Sequence, residues 1–137
     1  MIQALNESTR IPAELIKEGN ELNEKRMYQE AILRYDEAVK IEPSSELAWY
    51  GKGVALQYLS RYEEAIKCYD KALEINPNAA HAWNRKGGAL YGLRRYEEAI
   101  KCYDKALEIN PNYWTSSLSH SYFLFVVWTN KVMLFLL

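Results

Sequence analysis

The chain has 137 residues, 49% hydrophobic and 26% charged, proportions of a globular domain that exclude a disordered or fibrous polymer. Its 17 basic and 18 acidic residues nearly cancel, so no whole-protein field draws it to nucleic acid or anionic lipid, and nucleic acid is not an expected partner. Two cysteines, Cys68 and Cys102, are too few for a disulfide framework and are expected as reduced thiols.

Residues 1–11 read as a lead-in. They hold no basic stretch followed by an apolar run, so no secretory signal is predicted there and a cytoplasmic setting is the default. From Pro12 onward the chain is organised by repetition. The segment 61–78, RYEEAIKCYDKALEINPN, recurs unchanged at 95–112, and residues 46–79 and 80–113 agree at 25 of 34 positions. A more diverged copy occupies 12–45, with YQEAILRYDEAVKIEP where the others carry YEEAIKCYDKALEINP. A fixed period of this length indicates stacked supersecondary units, here 12–45, 46–79 and 80–113.

Each unit predicts two helices. In the second unit the first helical pattern runs from about Leu47 to Leu59 and ends near Ser60 and Arg61. The second is clearer: Tyr62, Ala65, Ile66, Tyr69, Ala72 and Leu73 recur at intervals of three and four and make one apolar stripe. The opposite face carries Glu63, Glu64, Lys67, Asp70, Lys71 and Glu74. Glu63 precedes Lys67 by one turn, an order that predicts an ion pair of roughly 0.2 to 0.5 kcal/mol. The short turn between the helices forces an antiparallel hairpin. Gly19, Gly53 and Gly87 recur on the first helices opposite Ala31, Ala65 and Ala99 on the second. A helical glycine costs about 1 kcal/mol relative to alanine, so its recurrence predicts close packing at a helix crossing. Pro43, Pro77 and Pro111 end the units, and Asn78 and Asn112 suit the cap of the next helix. The fold class is therefore all-α, an array of antiparallel helix hairpins.

Glycine, alanine, aromatic, alanine and proline at these spacings resemble the tetratricopeptide repeat family over roughly residues 12–113. The second unit carries the signature at Trp49, Gly53, Leu56, Ala65, Tyr69, Ala72 and Pro77, and the third at Trp83, Gly87, Leu90, Ala99, Tyr103, Ala106 and Pro111. The first is looser, with Leu15 in place of tryptophan, then Gly19, Leu22, Ala31, Tyr35, Ala38 and Pro43. Lys52 and Lys86 stand where the family often has leucine, and Leu56 and Leu90 where it often has tyrosine. The resemblance implies a right-handed superhelical array, a tetratricopeptide-type α-solenoid, whose first helices line a concave groove that takes an extended peptide or partner helix. Catalysis is not part of the family's repertoire.

Placed on that geometry, the groove presents Ile16, Asn20, Asn23, Leu47, Tyr50, Val54, Gln57, Tyr58, His81, Asn84, Arg85 and Tyr91. Tyrosine and arginine carry much of the energy of interfaces, so a protein or peptide ligand is the expected partner. One subfamily grips the C-terminal carboxylate of cytosolic chaperones with two lysines, two asparagines and an arginine. Asn20 and Arg85 match that set, but Ile16 and His81 replace its lysines and Gly51 its second asparagine. Each missing donor forfeits a charge-assisted hydrogen bond of roughly 1.5 to 3 kcal/mol, so a chaperone clamp is not expected.

A search for chemistry finds none. His81 and His120 lie in dissimilar contexts without ligand-like spacing, the acids are scattered over charged helix faces, and Gly87 and Gly88 belong to a helix crossing rather than a phosphate loop. No enzyme, cofactor or metal is predicted. Cys68 and Cys102 are equivalents in neighbouring units, about 10 Å apart at the usual spacing of packed helices, too far for a disulfide.

The pattern breaks at residues 114–137, which carry no acid and one base, Lys131. Three readings compete. A degenerate fourth hairpin would place Ser121 at the small crossing position, Leu124 at the register of Leu56 and Leu90, and Thr129 and Asn130 in its turn. Its oily outer face then predicts capping or homo-oligomerisation through Tyr122, Phe123, Phe125, Trp128 and Phe135. A membrane anchor is disfavoured by the Thr129, Asn130 and Lys131 interruption, because a central lysine costs about 2.5 to 3.5 kcal/mol in a bilayer. The third reading is a strand or coil laid on the array.

Overall fold

The computed structural model describes residues 10–112, 129 and 132–136. Within residues 10–112 six helices follow one another: α1 (Pro12–Glu24), α2 (Tyr28–Ile41), α3 (Glu46–Tyr58), α4 (Tyr62–Ile75), α5 (Ala80–Gly92) and α6 (Tyr96–Ile109). The pairs α1 with α2, α3 with α4 and α5 with α6 pack as hairpins, and α2 with α3 and α4 with α5 pack across the unit boundaries. The first helices α1, α3 and α5 also meet side by side. Among the described residues the architecture is three hairpins stacked into a helical array.

Each hairpin turns through a residue in the left-handed region: Arg26 at φ 61°, Ser60 at φ 59° and Arg94 at φ 61°. These hold the register that glycine favours, because a Cβ costs energy there. Pro12 starts α1, and the Ser45 hydroxyl caps α3 by accepting from the Ala48 N–H at 3.3 Å. Asn78 does not cap α5, contrary to expectation. The cap position is Ala79, without a side-chain bond, and the asparagine that works is Asn76, whose Oδ1 accepts from the Asn78 N–H at 3.2 Å. Asn110 repeats this with Asn112.

The core is built from rings seated in glycine slots. Tyr35 and Tyr69 are fully buried. A Cβ added at Gly19 would lie 2.7 Å from the Tyr35 ring, at Gly53 2.6 Å from Tyr69, and at Gly87 2.7 Å from Tyr103. The expected pairing of glycine with Ala31, Ala65 and Ala99 is thus corrected. The alanines are buried, but the space that glycine leaves is taken by the tyrosine one turn further along the second helix.

Two further contacts tie unit to unit. Trp49 Nε1 donates to the Pro43 carbonyl and Trp83 Nε1 to the Pro77 carbonyl, each at 2.9 Å. Lys52 Nζ lies 2.6 Å from Asp36 of the preceding unit and over the Trp49 ring, and Lys86 repeats this with Asp70 and Trp83. Lysine at the family's leucine position therefore serves as an ionic staple between repeats. Glu63 does not pair with Lys67 as expected; its carboxylate lies 3.9 Å from Arg95 of the next unit. Cys68 and Cys102 are free and buried.

Of the apolar tail, Tyr122, Phe123, Phe125 and Trp128 lie outside the described residues. Residues 132–136 are helical, and Phe135 is 94% exposed. No helix among the described residues is long and apolar enough to cross a membrane.

Candidate functional site

The first helices α1, α3 and α5 carry two kinds of polar group. The first kind serves the fold. The Tyr35 hydroxyl donates to Asn20 Oδ1 at 2.6 Å and accepts from Asn23 Nδ2 at 3.1 Å, while the Tyr69 hydroxyl donates to Gln57 Oε1 at 2.7 Å. Burial pushes both tyrosine pKa values well above the ordinary phenol range, so the hydroxyls stay protonated donors. Asn20, Asn23 and Gln57, expected as ligand contacts, are therefore first of all partners of buried hydroxyls.

The second kind forms a band across α3 and α5. Glu46 Oε1 lies 2.8 Å from His81 Nε2, and Asn76 Nδ2 reaches Glu46 Oε2 at 3.5 Å. The edge of the Tyr50 ring meets His81 with centroids 4.6 Å apart. Arg85, one turn beyond His81, sits 6.0 Å from the Tyr58 ring, whose stacked neighbour is Tyr28 at 5.0 Å. Burial works against the Arg85 charge, but the surrounding hydroxyls of Tyr50, Tyr69 and Tyr58 favour it and hold its pKa above the ordinary value. Among the described residues Arg85 has no carboxylate partner within ion-pair distance, unlike Lys52 and Lys86. Half-buried Asn84 lies on the same helix, and Tyr91 meets Tyr96 edge-on at 5.3 Å. Leu47 is exposed, and Ile16 and Val54 are half-buried.

The structure thus gathers Tyr50, Tyr58, His81 and Arg85 into one surface. Sequence reasoning missed Glu46, which binds His81, and Tyr28, which stacks on Tyr58. Tyr28 was open to detection, since tyrosine opens the second helix of every unit at Tyr28, Tyr62 and Tyr96. Glu46 carried no such signal, because Ala80 replaces it in the next unit.

No group of three or more His, Cys, Asp or Glu side chains is placed to hold a metal ion among the described residues. Burial pushes the Cys68 thiol up to about 11 and raises that of Cys102, the opposite of an activated cysteine.

The profile of the tetratricopeptide repeat family matches residues 47–79 and 80–113. Among solved structures, the chain is similar to the first such domain of Spaghetti (RPAP3), bound to the HSP90 peptide SRMEEVD, with TM-score 0.79 and 23% identity over 88% of this chain and 93% of that one. The tetratricopeptide domain of Arabidopsis OM64 gives TM-score 0.73 and 25% identity over 74% of this chain and 84% of that one. MamA gives TM-score 0.77 and 22% identity over 86% and 69%. No curated protein sequence matches the chain. The family profile leaves 12–45 unmatched, yet α1 and α2 repeat the same hairpin, glycine slot and left-handed turn. Residues 47–113 are two repeats of the tetratricopeptide repeat family, and residues 12–45 fold as a third hairpin of the same build.

Proposed function

We propose that the chain is a protein-interaction scaffold, without enzymatic activity, whose concave groove binds a peptide or partner helix in a cytoplasmic setting. The observation that carries this reading is where the second and third repeats differ. Of nine differing positions, seven lie on the first helix, at 46, 47, 50, 51, 54, 57 and 58 and their equivalents. The exposed Glu63, Glu64, Lys67, Lys71 and Glu74 recur unchanged. Drift alone would scatter changes over both exposed faces. Their concentration on the first helix, most of them at positions that are not buried, is what a ligand-contacting surface requires.

The band of Tyr50, Tyr58, His81 and Arg85 offers rigid aromatic anchors and one guanidinium without a carboxylate partner among the described residues, the residue types that dominate interface energetics. A chaperone-tail peptide like that bound by the Spaghetti (RPAP3) domain is not the ligand we propose. Ile16, Gly51 and His81 supply none of the missing cations or amides, and the Glu46 carboxylate beside His81 repels a second carboxylate. Replacing Tyr50 and Arg85 together with alanine is expected to lower capture of a bound partner at least tenfold. Unchanged capture removes the groove from the mechanism.

A second reading is self-assembly through the C-terminal segment. It is favoured by Met133, Leu134, Phe135 and Leu136, which are 60% to 94% exposed on a helical stretch. Sedimentation of the full chain against a Phe135→Asp variant tests it: a wild-type oligomer that becomes monomeric supports assembly, and a wild-type monomer ends it.

A further inference from the structure

Near-identical repeats provide an internal control, because a place where one interface departs from the other needs its own explanation. Such a place lies between the first and second repeats, where the groove meets the hairpin turns. Asn23, Glu24, Arg26, Tyr28, Val54 and Tyr58 surround a cavity of about 580 Å³.

At the next interface the equivalent space is filled. Gly92 stands at the register of Tyr58, and a Cβ there would lie 2.7 Å from the Tyr62 ring, which occupies the gap. Between repeats 1 and 2, Tyr58 instead stacks on Tyr28 with an interplanar angle of 6° and remains 56% exposed. A second departure converges on the same cavity. Gln57 spends its carbonyl on the buried Tyr69 hydroxyl. Its counterpart Asn23 does not, because Asn20 accepts the Tyr35 proton, and Asn23 Oδ1 is left buried with no hydrogen-bond partner. An unpaired buried carbonyl costs roughly 1 to 3 kcal/mol.

From this geometry we infer that the cavity is an anchor subsite for a carboxamide side chain, asparagine or glutamine, of the groove-bound partner, an inference that rests on the scaffold reading. Asn23 Oδ1 needs a donor. Reaching it takes a side-chain shift in the wall, and the exposed Tyr58 has room to make one. The rims, Glu24 and Arg26, are exposed, of opposite sign, and lack an ion-pair partner within 4.0 Å among the described residues. A guanidinium would meet Arg26, and a carboxylate would meet both Glu24 and the Asn23 oxygen. A carboxamide donates to Asn23 and Glu24, accepts from Arg26, and lays its plane on tyrosine.

Isotope-labelled full-length chain, titrated by NMR with N-acetylglutamine amide, N-acetylarginine amide and N-acetylglutamate amide, tests the subsite. The glutamine compound is expected to shift Asn23, Tyr28 and Tyr58 saturably, with a dissociation constant of about 1 to 10 mM for a ligand of its size. The other two should bind at least threefold more weakly. Tyr58→Gly, which recreates the arrangement seen at Gly92, should let Tyr28 fill the cavity and abolish the shifts. Arg26→Ala, at an exposed position, should weaken them and serves if Tyr58→Gly does not fold. Equal response to all three compounds, a preference for arginine or glutamate, absent saturation, or indifference to both variants overturns the subsite. Partner capture that needs Tyr50 and Arg85 while the titration is silent removes the subsite alone. A specific titration with capture indifferent to those two residues removes the groove reading instead.

Discussion

Adding one methyl group to the array should have opposite effects at Gly53 and Gly88. Both sit within helices, where alanine is favoured over glycine by about 1 kcal/mol. At Gly53 the new Cβ would lie 2.6 Å from Tyr69 Cε1 and 2.8 Å from Cδ1, on a ring that is fully buried and tied through its hydroxyl to Gln57. The ring cannot retreat without breaking that bond, and overpacking of this kind costs about 1 to 3 kcal/mol. Gly53→Ala is therefore expected to destabilise by about 1 kcal/mol net, propensity having offset part of the strain. At Gly88 the nearest atom is Gln57 Nε2 at 3.0 Å, on an amide that can give a few tenths of an ångström by pivoting about its bond to the Tyr69 hydroxyl, and the next is 3.8 Å away. Gly88→Ala should stabilise by roughly 0.5 to 1 kcal/mol. Urea unfolding followed by circular dichroism separates variants differing by about 2 kcal/mol with ease. A second comparison isolates the cause: in a Tyr69→Leu background the penalty for Gly53→Ala should shrink, because the ring that it strikes is gone. Equal stabilisation by both alanines would refute the claim that tyrosine occupancy selects glycine.

The Gln57→Leu variant should lose roughly 1 to 3 kcal/mol by orphaning the Tyr69 hydroxyl, and Tyr69→Phe in that background should recover part of it, read as coupling in a double-mutant cycle. Ser60→Gly and Arg94→Gly, which relieve left-handed backbone at φ 59° and 61°, should each raise stability by about 0.5 to 1 kcal/mol in thermal melts. Lys52→Met should cost no more than about 1 kcal/mol, because the Asp36 pair is partly exposed, and the loss should shrink at high salt. The buried Cys68 thiol has its pKa raised from 9.0 to about 11, so the unfolded chain ionises first; the stability it contributes is full below pH 9 and falls toward pH 11. Alkaline unfolding of wild type against Cys68→Ala should show a smaller loss over that window in the variant.

Much of the array was legible before any coordinates, because its information is local. A stripe at intervals of three and four fixes a helix face, and a 34-residue period repeats it; the helix expected from about Leu47 to Leu59 is Glu46–Tyr58 in the fold. What stayed hidden lies in pairs far apart along the chain. Gly53 was recognisably a space-making residue, but only the fold shows that Tyr69 fills the space. Asn20, Asn23 and Gln57 were legible only as polar positions on first helices. Their commitment to Tyr35 and Tyr69 depends on hydroxyls 12 to 15 residues away. Glu46 and His81, 35 residues apart, form a contact that the repeat itself disguises, since neither has a like residue at its own equivalent position.

The staple of Lys86 on Asp70, with Trp83 pinned to the Pro77 carbonyl, has a consequence for growth. The socket for these groups is formed by α4 and the turn after it, and α6 with the turn after it carries the same residues at Asp104 and Pro111. A further copy of residues 46–79 spliced in after Ala79 would meet the last unit at a joint the molecule already possesses, and would join the unit before it by the same staple, with the copy's Lys52 and Trp49 on Asp70 and Pro77. Length is thus an adjustable quantity of this chain, set by how many modules are strung together, as turns are added to a spring without redesigning its wire.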